Sequence, residues 1–320
     1  MDNKFIKAFD LIKQANSILL VTHYRPDGDA LASVCAMMEV LNRLGKPYTA
    51  YCFDQPPPQY NFLPRIEEIT WQRENFNFND FDLIIPLDCG SMDRTKLTEE
   101  IKNKTRRPLI IEFDHHPKID DYADVELRDP ASSSTAEMIY RFCQANSIKI
   151  NKPIANCILT GIVTDTGNFL YSATTGQTVQ IASEMLSRGA RFPRIMEHTW
   201  RNKSLSAMKL WGQAINNLAI NKRYNLAVSV LPYAELSQSN ASEEELEGMA
   251  GFLSNLYGVN GLLLLREESP GAIKGSLRTS RDQVDISLLA QFLGGGGHAK
   301  ASAFTLAGGI KKDNKHWEIK

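Results

Sequence analysis

Short apolar runs alternate with helical patterns along the first half of the chain. Four runs are apolar enough to predict buried strands, at 18–21, 48–53, 83–87 and 109–113. Three segments have helical spacing, at 30–44, 134–144 and 154–163, and Gly45 is placed to end the first of them. This alternation predicts an α/β domain in which a mostly parallel sheet has helices on both faces.

The pattern changes in the second half. From 175 to about 217 it is continuously helical, with interruptions near Gly189 and Pro193. Strands are then predicted at 224–231, 261–266, 272–278 and 301–306, and helices at 243–257 and 283–292. The tail, 311–320, is polar, and we expect it to be mobile. The predicted organisation is a domain over 1–190, a helical connector over 191–220 and a smaller α/β domain over 221–320.

Composition is that of an ordinary globular protein. The chain has 320 residues, of which 43% are hydrophobic and 23% charged, and this length suits two domains. No apolar run approaches the ~20 residues of a membrane helix. The start of the chain lacks the basic and then apolar order of a secretion signal. Five scattered cysteines fit a reducing compartment, so we expect a cytoplasmic location and no membrane contact.

The charge balance narrows the choice of partner. Lys and Arg number 36 against 37 Asp and Glu, giving a net charge of −1. Proteins that bind long nucleic acid usually have a strong basic excess. We therefore expect no long nucleic acid as a partner, although a small phosphate-bearing substrate is compatible with a few local cations.

Metal-capable side chains follow the predicted strands. They are His23, Asp27 and Asp29 after 18–21, Asp88 after 83–87, Asp114, His115 and His116 after 109–113, and Asp165 after the helix at 154–163. In an open α/β sheet, ligands bind beyond the carboxyl ends of the strands. Because these positions can face one crevice, we expect the side chains to form a single cluster.

Each signal is weak by itself. Asp29 could be the N-cap of a helix that begins at Ala30, and Asp88 or Asp165 could be a turn residue. Taken together, six side chains supply ligands for two ions with a shared carboxylate: His23, Asp27, Asp29, Asp88, His115 and Asp165. Carboxylates with some imidazole favour Mn²⁺, or Mg²⁺ as the alternative, whereas structural zinc usually has thiolate pairs.

Such a centre suits phosphoryl transfer. Two ions about 3.5–4 Å apart stabilise the attacking and leaving oxygens of an in-line displacement and lower the pKa of a bridging water. The sequence has no Gly-x-Ser-x-Gly motif and no P-loop, so a serine esterase or an NTPase is disfavoured.

The second half carries a candidate anion site. The glycine run 294–297 can bring backbone N–H groups close to an anion, with His298 and Lys300 beside it. Arg278 ends a predicted strand and could bind a terminal phosphate through two hydrogen bonds. The alternative is a flexible loop beside a solvated strand end. With the metal pattern present, we predict that Arg278, Gly295, Gly296, Gly297 and His298 bind substrate.

Together these segments resemble the motifs of the DHH phosphoesterase superfamily. The matching positions are 23–30, Asp88 with Arg94, 114–116, Asp165, and 294–302 for the glycine-rich motif of the DHH-associated domain. The two-domain layout is most similar to the group of nano-RNases and 3′-phosphoadenosine 5′-phosphate phosphatases. Two positions depart from the usual pattern. Ala32 and Ala303 stand where glycine is common, which removes no ligand but bears on helix packing and pocket width.

The resemblance implies a role for each residue. One ion would be held by His23 and Asp27 and the other by Asp29, His115 and Asp165, with Asp88 bridging the two. The catalytic residues would be His116, facing the scissile phosphate, and Asp114, supporting the histidines.

The expected activity is hydrolysis of short oligoribonucleotides, of 3′-phosphoadenosine 5′-phosphate, or of both. A metal-bridging hydroxide would attack the phosphate. One alternative is a phosphodiesterase of cyclic di-AMP or its linear product. Another alternative, of a different class, is a non-catalytic nucleotide- or RNA-binding module. The absence of a metal-ligating residue would favour it. The expected binding partner is a short oligonucleotide or a small nucleotide. A homodimer is a possible assembly.

Overall fold

The chain folds into two units. The computed structural model describes residues 1–102, 107–242, 244–313 and 316–320. The units are Met1–Arg201 and Asn202–Lys320. The predicted connector, 191–220, is therefore divided between the two. Within the described part of the chain, no helix is both long and apolar enough to cross a membrane.

The first unit has the predicted α/β architecture, with more elements than predicted. Its strands are β1 (Ile18–Val21), β2 (Tyr48–Tyr51), β3 (Ile69–Thr70), β4 (Leu83–Pro86), β5 (Leu109–Asp114) and β6 (Val125–Arg128). Its helices are α1 (Asp2–Gln14), α2 (Gly28–Arg43), α3 (Thr98–Lys102), α4 (Thr135–Ala145), α5 (Lys152–Asp165), α6 (Gly176–Ser187) and α7 (Phe192–Thr199). The hydrophobic pattern did not predict α1, α3, β3 or β6.

The sheet of this unit positions the candidate site. Its six strands are parallel and run in the order β3-β2-β1-β4-β5-β6. The order reverses between β1 and β4, and this switch point is where open α/β sheets bind ligands. Val21 pairs with Pro86 at the end of both strands. His23 and Asp88 each follow two residues later, so the switch point lies directly beneath them.

Helix α2 begins earlier than predicted. Asp27 is its N-cap and accepts a hydrogen bond from the backbone N–H of Ala30 at 3.1 Å. The reading of Asp29 as N-cap is therefore wrong, because Asp29 already lies in the first turn. Pro193 also differs from expectation. It lies at the start of α7, where proline's missing N–H costs nothing, and does not interrupt a helix.

The second unit is the smaller α/β domain that was predicted. Its strands are β7 (Ala219–Asn221), β8 (Leu226–Leu231), β9 (Gly261–Ser269), β10 (Ala272–Arg278), β11 (Gly296–His298), β12 (Ala301–Ala307), β13 (Ile310–Asp313) and β14 (His316–Ile319). Its helices are α8 (Leu205–Asn216), α9 (Tyr233–Gln238), α10 (Met249–Leu253) and α11 (Ser287–Phe292). The main sheet has the order β11-β12-β10-β9-β8-β7, and β13 pairs with β14.

Two expectations for this unit are wrong. The helix predicted over 243–257 begins on Glu243, which lies outside the described residues, and beyond it only a 3-10 turn and α10 form. Gly248 separates them, because its φ of +84° is left-handed. The described part of the tail expected to be mobile forms two paired antiparallel strands, β13 and β14. Trp317 packs there against a small core that includes Val230 and Ile273.

Glycines let the helices of the first unit approach closely. A Cβ at Gly28 of α2 would lie 2.5 Å from Thr164 of α5. A Cβ at Gly161 of α5 would lie 2.4 Å from the Cβ of Ala136 in α4 and 2.3 Å from Asp29 Oδ1. Ala32 is fully buried in the same core, so the departure from glycine is accommodated by packing.

This close approach generates a stability prediction. We expect Gly161→Ala to lower the free energy of unfolding by about 1–3 kcal/mol, because the new methyl group overpacks the contact between α4 and α5. Gly176→Ala is the matched control, since a Cβ there meets nothing within 4 Å. It should be neutral or stabilise by up to about 1 kcal/mol. Urea denaturation of both variants measures the difference, and equal midpoints would contradict the packing argument.

Candidate metal centre

The candidate ligands converge in the first unit. Within the described residues of this unit, three groups have ligand atoms that lie within 4.8 Å of one another. They are His23, Asp27 and Asp88; Asp29, His115 and Asp165; and Asp88, Asp114 and His116. Every residue that the sequence predicts as a ligand, and both predicted catalytic residues, belong to at least one of these groups.

Asp88 lies between the groups. Its Oδ2 is 3.8 Å from His23 Nε2, and its Oδ1 is 3.6 Å from His115 Nε2 and 3.5 Å from His116 Nδ1. The residue follows β4 in a left-handed conformation, with φ of +62°. This conformation is uncommon outside glycine but tolerated by Asp, and it often occurs at functional sites. One carboxylate can thus reach both imidazole-containing groups.

The second group contains Asp29. Its carboxylate accepts hydrogen bonds from the backbone N–H groups of Thr135, at 2.6 Å, and Ala136, at 3.0 Å. These groups begin α4, so Asp29 acts as an anion at the N-terminus of a neighbouring helix. His115 Nε2 lies 3.3 Å from Asp165 Oδ2 at the last residue of α5. Helix ends and strand ends together assemble this group.

Asp114 fixes the position of His116. One oxygen, Oδ1, lies 2.8 Å from the backbone nitrogen of His116 and 2.9 Å from its Nδ1. The other, Oδ2, accepts from the backbone N–H of Gly90 at 2.6 Å. Because an ionised carboxylate only accepts, Nδ1 carries the proton in this contact. The second ring nitrogen of His116, Nε2, then carries a lone pair and no proton in the neutral ring.

Arg128 at the end of β6 supports this arrangement and was missed from the sequence. Its Nη1 donates to the carbonyl of His116 at 2.7 Å, and its Nη2 lies 3.4 Å from Asp114 Oδ2. Its guanidinium also pairs with Glu112, which accepts from the hydroxyl of Tyr122. The Arg128 side chain is 4% exposed. No motif or apolar run marks this residue, so only the packing of β6 on β5 reveals it.

The serine-rich turn before α4, residues 132–135, also contributes to the cluster. Ser134 is the N-cap of α4 and accepts from the backbone N–H of Glu137 at 3.1 Å. Thr135 Oγ1 donates to Asp88 Oδ1 at 2.8 Å. The turn therefore caps a helix and orients the central carboxylate.

The cluster carries more negative charge than its protein partners neutralise. Burial and the nearby Asp29, together with other carboxylates, raise the pKa of Asp88 well above its usual range. Burial and the charge of Asp165 raise the pKa of Asp29 to about 7. Asp114 differs, since His116 and Arg128 overcome its burial and hold its pKa well below the usual range.

The donor set fits two divalent cations. Carboxylates with imidazoles are the ligands that Mn²⁺ prefers, and Mg²⁺ also favours oxygen. Burial lowers the pKa of His23 to about 4, so this imidazole is neutral near pH 7, as a ligand must be. The five cysteines are buried and free, and none belongs to the ligand groups found among the described residues. Raised carboxyl pKa values indicate where bound cations would replace protons.

The glycine-rich segment of the second unit differs from a flexible loop. Gly296–His298 forms strand β11, which pairs with β12. A Cβ at Gly295 would lie 2.1 Å from the carbonyl of Ala303, and one at Gly297 would lie 2.6 Å from that of Ala301. These two glycines are required by close backbone packing, whatever else they bind.

The cations of this segment have different roles. Lys300 Nζ donates to the carbonyls of Arg281, Asp282 and Val284 at 2.5–3.0 Å. Lys300 lies beside the candidate anion site in sequence, but its ammonium group stabilises a turn. Arg278 Nη1 donates to the carbonyl of Leu277 at 2.7 Å, and its side chain is half-buried.

Comparison with known proteins matches both units. The profile described as "DHH family, N-terminal domain" covers residues 17–162, and that of the "DHHA1 domain" covers 223–315. The "Bifunctional oligoribonuclease and PAP phosphatase NrnA" of Thermus thermophilus is 29% identical over 291 residues, which are 91% of this chain and 84% of that protein. The protein of the same name from Bacillus subtilis is 28% identical over 91% of this chain and 90% of its own length.

A solved structure is similar over most of the chain. The "exopolyphosphatase-related protein" from Bacteroides fragilis superposes with a TM-score of 0.85 at 27% sequence identity. The match covers 95% of this chain and 91% of that one.

The buried carboxylates generate a pH prediction for the metal-free protein. The folded pKa of Asp29, about 7, and that of Asp88 lie above the unfolded value of about 3.9, so the folded state binds more protons. Stability must then fall as pH rises, and we expect a loss on the order of 1 kcal/mol between pH ~6.5 and ~8. His23 acts in the opposite direction, but only below pH ~6.5, because its folded pKa is lowered.

Denaturant titrations in EDTA at the two pH values test this expectation. Saturating Mn²⁺ should reverse the trend, because cations bind the deprotonated carboxylates more tightly at the higher pH. Asp29→Asn should show a smaller pH dependence in EDTA. An EDTA-treated protein that is more stable at pH ~8 than at ~6.5 would contradict the charge imbalance.

Proposed function

Since the chain belongs to the DHH phosphoesterase superfamily and carries a DHHA1 domain, we propose that it hydrolyses short oligoribonucleotides and 3′-phosphoadenosine 5′-phosphate with two divalent ions. The observation that carries the proposal is the complete ligand cluster around Asp88. The relatives named as bifunctional oligoribonuclease and phosphatase support this substrate class.

We assign the ligands from the distances. His23 and Asp27 would hold one ion, and Asp29, His115 and Asp165 the other, with Asp88 shared. Bound there, Mn²⁺ or Mg²⁺ would supply Lewis acidity at the phosphate and lower the pKa of a water molecule.

The remaining residues of the centre position the side chain of His116. Asp114 holds a proton on His116 Nδ1 through a 2.9 Å contact and so fixes the ring. His116 would then present Nε2 to the scissile phosphate. Arg128 keeps Asp114 ionised and anchors the His116 carbonyl, so the ring orientation does not depend on substrate.

The second unit would bind the end of the substrate. Arg278 pairs with Ala301 in the sheet, and Ala301 pairs with His298, so both side chains stand in one row on one face. Ala301 between them is small. An arginine and a histidine separated by a methyl group suit a terminal phosphate. Ala303 lies beside Ala301 on the same face of the sheet, and its small side chain leaves room above the sheet for a ligand.

Two alternative functions can be distinguished from the proposed one by experiment. A phosphodiesterase of cyclic di-AMP would use the same centre, so substrate preference distinguishes it. A non-catalytic nucleotide-binding module would bind without turnover, although the complete ligand set favours catalysis. Cyclic di-AMP and metal-free binding assays are therefore included among the tests.

Asp88 provides the main test of the two-metal centre. We expect Asp88→Asn to abolish hydrolysis while the fold survives, because Asn also tolerates the left-handed backbone and removes one buried charge. Wild type with Mn²⁺ is assayed on oligoribonucleotides of 2 to about 24 residues, 3′-phosphoadenosine 5′-phosphate and cyclic di-AMP. Oligomers of two to five residues should be cleaved faster per end than those of about twenty, with a shallow salt dependence.

Several outcomes would change the assignment. Near-normal turnover by folded Asp88→Asn in metal-defined buffer would exclude the two-metal centre. Faster cleavage of long chains with a steep salt slope would indicate a processive exonuclease. Preference for cyclic di-AMP would select the alternative phosphodiesterase, and tight binding without turnover would select the non-catalytic module.

The next prediction concerns Arg278. If it binds a terminal phosphate, Arg278→Ala should weaken substrate binding by roughly 1.5–3 kcal/mol, the scale of a charge-assisted hydrogen bond. Stabilisation by Mn²⁺ should not change. Lys274→Ala is the control, since it removes the same charge from the same strand. Unchanged kinetics of Arg278→Ala on every phosphorylated substrate would contradict this role.

A further inference from the structure

An aromatic side chain stands at the surface beside the candidate metal centre. Tyr24 directly follows His23, one of the assigned ligands, and is 37% exposed. The Cα atoms of Tyr24 and His23 are about 3.8 Å apart, as in any trans peptide, so the Tyr24 side chain leaves the backbone next to a metal ligand. No role in the proposed hydrolysis uses it. Tyrosine exposed at such a place offers a flat apolar surface with little conformational entropy to lose.

A cation covers one face of this ring. Lys96 Nζ lies 4.5 Å from the centroid of the Tyr24 ring, within the range of a cation–π interaction. The contact restrains the ring, 37% of the residue stays exposed, and a planar group can stack only on the face that Lys96 does not cover. A positive charge beside the ring also suits a ligand that carries phosphates.

The backbone on both sides of the contact is strained. Arg25, next to Tyr24, has φ of +52°, and Lys96 has φ of +60°. Neither is glycine, and left-handed residues of this kind are over-represented at ligand-binding positions. The N–H of Arg25 donates to Asp54 Oδ2 at 2.6 Å, which holds the turn. The ring is thus presented by a fixed backbone.

Arg94 connects the ring to the centre. Its carbonyl accepts from the backbone N–H of Tyr24 at 2.8 Å. A Cβ built on Gly90 would lie 3.2 Å from Arg94 Nη1 and 3.7 Å from His116 Cγ. The guanidinium therefore lies beside Gly90 together with His116. Arg94 thus contacts the backbone of Tyr24 and places its guanidinium near His116, so one residue joins the tyrosine to the metal centre.

We propose that Tyr24, with Lys96 against one face of its ring, is a stacking platform for a nucleobase of the substrate. The inference rests on the proposed function, since it concerns the nucleotide whose phosphate is held at the metal centre. Stacking on a tyrosine accepts any base, because every base has a π-face. The platform would therefore select nucleotides over other phosphate esters without selecting a sequence.

The test separates the base from the phosphates. KM and kcat are measured with Mn²⁺ for a diribonucleotide and for an abasic dinucleotide with the same phosphates. Tyr24→Ala should raise KM for the first by about 5- to 150-fold, the scale of base stacking on an aromatic ring, and leave kcat within a few-fold. It should not change KM for the abasic compound. Tyr24→Phe should behave as wild type, since stacking needs the ring and not the hydroxyl.

A second tyrosine provides a matched control. Tyr224 in the second unit is 58% exposed and has the guanidinium of Arg223 5.2 Å from its ring centroid. Tyr224→Ala should leave KM unchanged. A fluorescence measurement gives an independent readout, because stacking quenches 2-aminopurine. Quenching of a dinucleotide that contains this base should be lost in Tyr24→Ala and kept in Tyr24→Phe.

The outcomes distinguish this inference from the proposed function. If wild type hydrolyses the dinucleotide and Tyr24→Ala does so with the same KM, the platform is excluded and the proposed function stands. A KM increase of equal size for the abasic compound also excludes stacking. If wild type hydrolyses no substrate, the proposed function is excluded, and 2-aminopurine quenching alone decides whether Tyr24 stacks a base.

Discussion

The burial of three carboxylates in one small volume is the constraint on which the first unit depends. Asp29, Asp88 and Asp114 are each at most 2% exposed. Like charges repel strongly away from water, so each carboxylate needs donors or cations. Asp114 has Arg128 and His116, and Asp29 has two backbone N–H groups. Asp88 has a hydroxyl and several imidazoles, and the charge that these leave on it is what a pair of divalent cations would balance.

The fold satisfies this constraint by bringing the ends of several strands and helices together. The carboxyl ends of β1, β4 and β5 bring acidic and imidazole side chains to the switch point of the sheet. The N-terminus of α4 supplies N–H groups and its positive dipole end to Asp29. That contact requires α2 and α4 to pack within reach, and Gly161 in α5 permits it. Core packing and site electrostatics are therefore set by the same helix contacts.

Much of this could be read from the sequence, because hydrophobic runs mark strands and polar residues follow their ends. The partners of Asp29 could not, since they lie more than 100 residues away. Arg128 is the last residue of a short strand with no marked pattern. Lys300 was placed beside the candidate anion site, although its ammonium group donates to backbone carbonyls. The left-handed backbone of Gly248 ends a predicted helix. The polar tail contains paired strands instead of a mobile segment, because Trp317 packs against a small apolar core.

Selectivity in such a molecule must come from short-range contacts. A carboxylate-rich centre in a chain of net charge −1 does not attract a polyanion over long distances. Binding energy then depends on the few cations near the centre, such as Arg94, and on planar contacts that carry no charge. Each nucleotide added beyond their reach brings a phosphate without a matching cation. The same charge distribution that needs metal ions therefore favours substrates of few phosphates, and it makes recognition of the base a separate task from recognition of the phosphate.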